Sequence, residues 1–381
     1  MAKRMLVLGN SDALWTKRFI EHIALPAGYE VVLFPTEGHE GKYDDFYAQN
    51  QVTVYHDPHT LPVIRRIPRV RMWARVWENA RDLIRMGPFD VVHNHYISQR
   101  DLALGCRVAK HFHARWLCCI WGSDFLRASK LELARMKPYL EKCHGIHGDF
   151  GLLPQRVGEV YGAEMAKKTR VVDFGHVGYK CIDAVRSQAD KAACKQHFGI
   201  DPDTFALCVG YSASSAQQQL LVLEQLKKLP EDTLRRITLV LQQTYCLDDP
   251  DYVEQTRAFA RTLPCKTVVL TEFLDDMETA WLRLASDMFI LAIKTDAFCA
   301  TLSEYLYAGS IVVRGDWLVY QQLIDMGITL PTFHEFEEIP AMVERGLSGD
   351  LTGLSEADRA RFPALYSWDA VRPEWMKLYE A

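Results

Sequence analysis

Short apolar runs alternate along the whole chain with longer stretches in which apolar residues recur at helical spacing. In the first half of the chain the apolar runs predict strands over residues 5–9, 30–34, 52–56, 89–95, 116–121, 145–149 and 170–174. In the second half they predict strands over residues 205–210, 237–242, 267–271, 288–293 and 311–314. Strands that alternate with helices in this way form parallel sheets covered by helices on both faces.

The two series of strands are separated by a polar, glycine-containing stretch between residues 175 and 203. We therefore predict an α/β fold with two Rossmann-like domains, over residues 1–175 and 205–365, joined by a linker over 176–204. Because parallel sheets bind ligands at the carboxyl ends of their strands, we expect the domains to face each other across a cleft. The sequence pattern of residues 366–381 predicts a terminal helix.

The composition is that of an ordinary globular protein, with 49% hydrophobic and 24% charged residues among 381. Acidic residues exceed basic ones by 49 to 44, and the formal charge of −5 argues against a dedicated nucleic-acid binder. The longest apolar runs are far shorter than the roughly 20 residues needed to cross a bilayer. The first residues resemble a strand rather than a signal peptide, so we expect a cytoplasmic protein.

The strongest chemical signal lies between residues 287 and 313. A buried strand is followed by a polar loop with Lys294 and Asp296, and a helix is predicted to begin near Ala300 and to end at Gly309. The N–H groups of its first turn can bind a diphosphate. Glu304, one turn inside this helix, can accept hydrogen bonds from sugar hydroxyls. The alternative is that Asp296 is an ordinary loop acid and Glu304 a solvated one.

A second candidate phosphate site follows the strand predicted over residues 205–210. Gly210 permits a tight turn, the hydroxyls of Ser212 and Ser214 can donate to phosphate oxygens, and a helix is predicted from Ala216. An ordinary serine N-cap explains the same residues equally well. The loop contains no cation, so Lys294 or Arg314 would have to supply the positive charge.

On the first domain, His95 and Asp124 are the candidate catalytic groups. His93 and His95 end a strand whose carboxyl edge should face the cleft, so one of them is expected to touch the acceptor or the leaving group, unless both are structural. Asp124 follows the next strand and could orient or deprotonate a hydroxyl, or cap a helix. No third or fourth ligand at a defined spacing accompanies the histidine pairs, so we expect no metal ion.

These residues resemble a known family. The D-x-F-x5-E-x4-G frame from Asp296 through Glu304 is similar to the E-x7-E signature of GT-B glycosyltransferases, particularly the retaining family 4. Further similar segments lie at residues 6–11, 28–31, 89–96, 119–124 and 367–368. The chain departs from the family pattern where Asp296 replaces a glutamate, where Trp121 replaces a histidine, and in the loop after residue 209, which lacks the usual Arg and Lys.

The resemblance implies a GT-B enzyme that moves a hexose-type sugar from a nucleoside diphosphate sugar to a glycan or lipid-linked acceptor, with retention and without a metal ion or other cofactor. It places the acceptor on the first domain and the donor on the second, with the terminal helix packed back on the first. Glu304 would hold the ribose, and Asp296 would contact the transferred sugar. The other donor-binding residues would be Lys294, Phe298, Cys299, Ala300, Gly210, Tyr211, Ser212, Ser214 and Arg314. The acceptor-side loops would contribute Gly9, Asn10, Ser11 and Trp121.

Two other classes of function fit the same architecture. One is a nucleotide-sugar epimerase or isomerase, and the other is a sugar-nucleotide-binding protein without catalysis. A nicotinamide dehydrogenase does not fit, because Gly9-Asn10-Ser11 lacks the second and third glycines of the dinucleotide-binding motif.

A basic segment runs from Arg65 to Arg85, where seven arginines oppose only Glu78 and Asp82 and two tryptophans are interleaved. Arginine with tryptophan suits an anionic membrane surface or a lipid-linked phosphate. The alternative is an ordinary solvated helix face.

Overall fold

The computed structural model describes residues 2–56 and 68–380, apart from the side chains of residues 68–71. The chain divides into two compact units. Unit 1 comprises Met1–Gly175 together with Trp368–Ala381, and unit 2 comprises His176–Ser367. No helix among the described residues is long and apolar enough to span a membrane.

Within the described part of unit 1, seven parallel strands form one sheet in the order β3-β2-β1-β4-β5-β6-β7. The strands are β1 Arg4–Gly9, β2 Glu30–Pro35, β3 Thr53–Val54, β4 Val91–Asn94, β5 Arg115–Cys119, β6 Gly145–Gly148 and β7 Thr169–Val171. Each lies in or beside a stretch predicted to be a strand. The central strands are almost wholly buried, because helices cover both faces of the sheet.

The helices of unit 1 pack their apolar faces against this sheet. They are α1 Leu14–Phe19, continued by a π-helical turn over Ile20–Ala24, α2 Asp44–Gln49, α3 Pro68–Met86, α4 Gln99–Phe112, α5 Ser123–Leu126, α6 Lys130–Leu140, α7 Leu153–Tyr161 and α8 Ala163–Lys167. Ser98 caps α4 by accepting a hydrogen bond from the Asp101 N–H, and Ser129 forms a capping box with Glu132 at the start of α6.

Unit 2, all of whose residues are described, contains a six-stranded parallel sheet in the order β10-β9-β8-β11-β12-β13. The strands are β8 Phe205–Val209, β9 Ile237–Gln242, β10 Lys266–Leu270, β11 Met288–Leu291, β12 Ile311–Gly315 and β13 Thr332–Phe333. The first five correspond to the predicted strands. β13 was not predicted, because two residues are too few to show an alternating pattern.

The helices of unit 2 enclose two apolar clusters, one on each face of its sheet. They are α9 Gly178–Arg186, α10 Lys191–His197, α11 Gln219–Leu226, α12 Glu231–Arg235, α13 Pro250–Ala260, α14 Asp276–Ala285, α15 Ala300–Ala308, α16 Gln321–Asp325, α17 Ile339–Ser348 and α18 Glu356–Tyr366.

The segment predicted as a linker, residues 176–204, forms α9 and α10 within unit 2. Tyr179, Ile182 and Cys194 are buried in the apolar cluster of that unit. The segment therefore forms two helices of unit 2, where the sequence predicted a linker. The helices were not predicted, because each buries only a narrow apolar stripe and its remaining positions are polar.

The terminal helix α19, Trp368–Glu380, belongs to unit 1. The Trp375 side chain is fully buried, and its Nε1 donates a hydrogen bond to the Asp173 carbonyl oxygen at 2.9 Å. Further along the helix, the Tyr379 hydroxyl lies 3.2 Å from Nδ1 of His93. An aromatic anchor and these polar contacts fix the helix on the unit 1 core.

Candidate functional site

The loop between β11 and α15 lies at the carboxyl edge of the unit 2 sheet. α15 begins at Ala300 and is followed by Gly309 in the left-handed conformation, as predicted. The loop is held by the Gln218 side-chain amide, which donates to the Ala292 carbonyl at 2.6 Å, and by the Lys294 N–H, which donates to the Ala216 carbonyl at 2.9 Å. These two bonds bring the two predicted phosphate-binding loops of unit 2 together.

Asp296 lies between two tyrosines at this edge. The Tyr320 hydroxyl donates to Oδ2 at 2.8 Å, and the Tyr211 hydroxyl lies 3.4 Å from Oδ1. Burial and the negative charge of Asp296 raise the pKa of Tyr320 well above its usual value, so the phenol remains a proton donor at neutral pH. Tyr211 was a predicted site residue. Tyr320 was not, because a tyrosine 24 residues away gives no signal in the sequence.

Glu304 is buried, and its side chain is 10% exposed. Its Oε2 lies 3.3 Å from Nε of Arg283, whose side chain is 3% exposed. A Cβ added to Gly178 would clash with Oε1, so the carboxylate also packs closely on the first residue of α9. The alternative of a solvated helix acid therefore does not hold for Glu304.

Arg283 is the buried cation of this region, and it was not predicted as a site residue. Its Nη1 lies 3.4 Å from Oε1 of Gln242, its Nη2 lies 3.4 Å from Oγ1 of Thr301, and its guanidinium lies 4.3 Å from the centre of the Tyr305 ring. The signal available was an arginine inside the otherwise apolar run 280–285. Such a position predicts a buried charge that needs a partner.

Lys294 and Arg314, the two cationic residues predicted from the sequence, have surroundings that differ from those of Arg283. Lys294 is exposed. The Arg314 Nη1 donates to the carbonyl oxygens of Gly315, at 3.1 Å, and Leu318, and burial lowers the pKa of its guanidinium. Arg314 therefore stabilises the turn that follows β12.

The serine loop is ordered mainly by its own backbone and by neighbouring glutamines. Gly210 has φ 65°, a conformation that favours glycine, and its N–H donates to the Ile290 carbonyl at 3.1 Å. Ser212 is buried. The Ser214 hydroxyl accepts a hydrogen bond from the Ala216 N–H at 3.3 Å, which is the N-cap arrangement that the sequence left open. The helix predicted from Ala216 begins at Gln219, after a single 3-10 turn over Ser215–Gln217.

The residues before α15 also have defined places. Phe298 is buried, with its ring centre 5.0 Å from that of Tyr366. Cys299 is the N-cap residue of α15, and its side chain makes no capping hydrogen bond to the first turn, which starts at Ala300. The N–H groups of this turn have the geometry that binds anions at a helix start.

In unit 1, the residues predicted for the acceptor side gather at the carboxyl end of β1. Asn10 donates through Nδ2 to the Glu37 carboxylate at 2.6 Å, and Ser11 Oγ lies 2.8 Å from Nδ1 of His39. A Cβ added to Gly9 would lie 3.2 Å from both Thr16 and His95, so the neighbouring side chains pack closely on this glycine.

A cavity of about 280 Å³ in unit 1 is lined by Asn10, His95 and Trp121 among other residues. The Trp121 indole N–H donates to the His95 carbonyl oxygen. Burial lowers the pKa of His95 to about 3, so its imidazole is neutral at physiological pH. The structure thus brings together three residues that were predicted to lie on the acceptor side.

His95 is one of three buried histidines in the described part of unit 1. Its Nδ1 lies 3.3 Å from Nε2 of His93, and the ring centres of His93 and His147 are 5.3 Å apart. Neither ring nitrogen of His147 has a hydrogen-bond partner among the described residues. No group of three or more His, Cys, Asp or Glu side chains that could hold a metal ion is found in the described parts of the chain.

Asp124 joins the loops that follow β4 and β5. Its Oδ2 accepts the Ile97 N–H at 3.1 Å and its Oδ1 accepts the Trp121 N–H at 2.9 Å. Burial raises the pKa of this carboxyl to about 7, and the two N–H donors oppose that shift. Asp124 also lines a second cavity of unit 1, with a volume of about 410 Å³. A carboxyl group that titrates near neutral pH beside a cavity is suited to proton transfer.

No protein-family model matches the chain, and no curated protein matches it. Several solved structures are similar to it over nearly their whole length. A glycosyltransferase from Rickettsia africae matches with a TM-score of 0.76 at 14% sequence identity, covering 100% of this chain and 98% of that one. HepE from Anabaena, solved in complex with UDP-glucose, matches with a TM-score of 0.72 at 14% identity and covers 98% of both chains.

A sucrose-phosphate synthase from Thermosynechococcus elongatus matches with a TM-score of 0.71 at 14% identity, covering 99% of this chain and 98% of that one. Together with the two parallel sheets, these similarities confirm the predicted fold class, an α/β fold of the GT-B type with two Rossmann-like units. At this level of identity the similarity establishes the fold alone.

Proposed function

We propose that the protein is a glycosyltransferase that moves a hexose-type sugar from a nucleoside diphosphate sugar to a glycan or lipid-linked acceptor. The observation that carries the proposal is the carboxyl edge of the unit 2 sheet. There the start of α15, the loop from Gly210 and the buried pair of Glu304 and Arg283 lie at the end of β11 and its neighbours. The similar HepE structure, which contains UDP-glucose, supports a nucleotide sugar as the ligand.

In this proposal unit 2 binds the donor. The N–H groups at the start of α15 and the loop from Gly210 bind the diphosphate, and Glu304 accepts hydrogen bonds from the ribose. Arg283 orients Glu304 and adds the positive charge that the loop lacks. Negative charge accumulates on the diphosphate as the glycosidic bond breaks, and fixed donors at that position stabilise the transition state.

Asp296, held by Tyr211 and Tyr320, contacts the transferred sugar together with the backbone of residues 298–300. On unit 1, Asn10, His95 and Trp121 line the acceptor cavity. Asp124, in the neighbouring cavity that shares Tyr96 and Ser123 with it, orients or deprotonates the acceptor hydroxyl. We propose transfer with retention and without a bound metal ion, as expected from the resemblance to family 4.

Donor binding tests this proposal. We expect UDP-glucose or another nucleotide sugar to bind in calorimetry, and Glu304→Ala to weaken that binding at least tenfold. Glu254→Ala, which removes an exposed carboxylate elsewhere in unit 2, should leave the dissociation constant unchanged. Because Glu304 also neutralises Arg283, the fold of each variant is checked by circular dichroism, and Asp296→Asn serves as a second variant. An unchanged dissociation constant in a folded Glu304→Ala protein contradicts the assignment.

Incubation with the donor alone separates the other functions that the architecture allows. An epimerase or isomerase would produce a new sugar nucleotide without an acceptor. A binding protein would leave the donor intact even when acceptors are supplied. A glycosyltransferase should release the nucleoside diphosphate in proportion to the glycosylated acceptor.

We also propose that unit 1 docks on an anionic membrane surface through one face of α3. Trp73, Trp77, Arg81 and Arg85 recur at four-residue intervals and therefore share a face. Their exposure is high, 60% for Trp77 and 69% for the Arg85 side chain. The Arg107 guanidinium lies 3.4 Å from the centre of the Trp77 ring. Arg65 and Arg66 of the same basic segment lie outside the described residues, as do the side chains of Arg69 and Arg71.

Sedimentation with phosphatidylglycerol vesicles tests the docking. Each basic residue near an anionic surface contributes about 1 kcal/mol, so the Arg81→Gln/Arg85→Gln double variant should bind roughly tenfold or more weakly. Arg235→Gln/Arg261→Gln removes two equally exposed arginines from unit 2 and should leave vesicle binding unchanged. Binding that is insensitive to salt, or equal for both double variants, contradicts the proposal.

A further inference from the structure

Unit 1 contains a cavity of about 510 Å³ that the proposed function does not use. It lies where β2 and β3 end, between α3 and α4. Arg75 and Asn79 of α3 and Arg100 of α4 line it, as do Thr36, His39 and His56. The two arginines outnumber the one carboxylate of the lining, Glu37, so the described lining carries a net positive charge.

The polar side chains that line this cavity differ in how many hydrogen bonds their nitrogen atoms already form. Arg100 donates through Nε to Oδ1 of Asp101 at 2.9 Å, and its Nη2 donates to the Thr36 carbonyl. Nδ1 of His39 lies 2.8 Å from Ser11 Oγ, whereas its buried Nε2 lies 3.2 Å from Oδ1 of Asp44 and forms no hydrogen bond with the described residues. These contacts use two of the five guanidinium N–H groups of Arg100, and the contact to Ser11 orients the imidazole of His39.

Arg75 differs from Arg100 in its pairing. Its Nε is buried and has no hydrogen-bond partner in the part of the chain that the structure describes. Glu37, the carboxylate that lines the same cavity, is exposed and accepts a hydrogen bond from Asn10. A buried guanidinium N–H that finds no acceptor among the described residues is unfavourable, and an anion in the cavity would supply that acceptor.

The cavity adjoins the one assigned to the acceptor. Thr36 and Glu37 line both of them, and the smaller cavity continues to Asn10, His95 and Trp121. A ligand whose hydroxyl lies beside His95 can therefore extend toward Arg75 within unit 1.

We infer that the larger cavity binds a phosphate group of the acceptor, with Arg75 and Arg100 as its guanidinium ligands. The inference rests on the proposed function only in identifying the ligand as the acceptor. Guanidinium groups present several N–H donors in a plane and match phosphate oxygens in pairs. The phosphate belongs either to a phosphorylated sugar or to the headgroup of a lipid-linked acceptor, and both present the same chemistry to the cavity.

Calorimetry at constant ionic strength tests this, with inorganic phosphate and glucose 6-phosphate as probes and saturating UDP present to occupy the donor site. We expect both probes to bind, and Arg75→Gln to weaken their binding at least tenfold. Arg75→Lys should restore part of the affinity. Arg156→Gln removes an exposed arginine elsewhere in unit 1 and should change nothing. Arg100→Gln is a second variant, for use if Arg75→Gln does not fold.

Equal binding by folded Arg75→Gln and wild-type protein, or no binding of either probe, would overturn the inference. Binding of glucose 6-phosphate tighter than that of inorganic phosphate identifies a phosphorylated sugar as the source. Arg75-dependent binding to vesicles that contain a lipid-linked sugar phosphate, beyond binding to phosphatidylglycerol vesicles, identifies the lipid instead. If UDP fails to bind while phosphate binding still depends on Arg75, the proposed function fails and the phosphate site stands.

Discussion

Asp124 is a side chain of unit 1 whose protonation changes near neutral pH. Its carboxyl is buried and has a folded-state pKa of about 7, above the ordinary value of 3.8. The folded chain therefore holds this proton more tightly than the unfolded chain, and the contribution to stability is lost as the pH rises from 4 to 7. At about 1.4 kcal/mol per pKa unit, the loss is on the order of 4 kcal/mol at most.

We expect Asp124→Asn to remove this pH dependence, since the amide stays neutral. The free energy of unfolding of the variant, relative to wild type, should increase between pH 4 and pH 7 by up to about 4 kcal/mol. Denaturant unfolding at pH 4, 5, 6 and 7 measures it. Asp45→Asn, at an exposed position of α2, is the control and should give a flat difference. A flat difference for Asp124→Asn as well would show that this carboxyl titrates at its ordinary pKa.

The residues of the candidate site differ in whether their contacts could be predicted from the sequence. Glu304 and Asp296 could be identified because they stand at a fixed spacing in one strand-loop-helix segment. Arg283 and Tyr320 could not be paired with them, because their contacts span 21 and 24 residues of sequence and depend on how the chain folds back. The spacing of residues along the chain predicts which side chains of one element and its adjoining loop lie close together. Contacts between different elements can be predicted only when the order of the strands in the sheet is known.

Among the elements, α19 makes the clearest energetic contribution. Trp375 is fully buried among aromatic rings, with centroid distances of 4.9 Å to His147, 5.1 Å to Phe174 and 5.4 Å to Phe19. Removing a buried tryptophan side chain eliminates these contacts and leaves a cavity.

We expect Trp375→Ala to lower the free energy of unfolding of unit 1 by about 3–5 kcal/mol. Denaturant unfolding followed by far-UV circular dichroism is the measurement. Trp77→Ala removes a tryptophan that is 60% exposed and should cost about 1 kcal/mol or less. If the free energy of unfolding falls by the same small amount in both variants, Trp375 does not anchor α19 on unit 1.

At the level of elements the sequence predicted most of the fold, because each central strand is a short apolar run that must be buried on both faces. β13 and the helices of residues 176–204 were not predicted, because none of them produces a long apolar pattern. The two-residue strand β13 pairs only with β12, and α9 and α10 each bury a narrow apolar stripe.

At the scale of the whole molecule, acid should lower the stability of unit 1. Unit 1 buries His93, His95 and His147 as neutral imidazoles, because burial lowers the pKa of His95 and His147 to about 3 and that of His93 well below its usual value. The unfolded chain takes up these protons near pH 6.5 and the folded chain does not. Stability therefore falls as the pH drops from 6.5 toward 3, by about 1.4 kcal/mol per pH unit for each histidine.

We expect His147→Phe to reduce the slope of unfolding free energy against pH between 6.5 and 4. The expected reduction is about 1 kcal/mol per pH unit, and His111→Gln, an exposed histidine, should leave the slope unchanged. Tryptophan fluorescence follows unit 1 well, because Trp281 and Trp317 alone among the nine tryptophans belong to unit 2. An identical slope in wild type and His147→Phe would mean that His147 titrates alike in the folded and unfolded chains.

The return of α19 to unit 1 also sets an order of events during synthesis on the ribosome. Residues 1–175 emerge first, but the aromatic pocket between Phe19, Phe174 and His147 stays unfilled until Trp375 has been translated. Unit 2 is one uninterrupted stretch and includes no residue translated after Ser367. Unit 1, whose translation begins before that of unit 2, is therefore the later of the two to have all its residues translated.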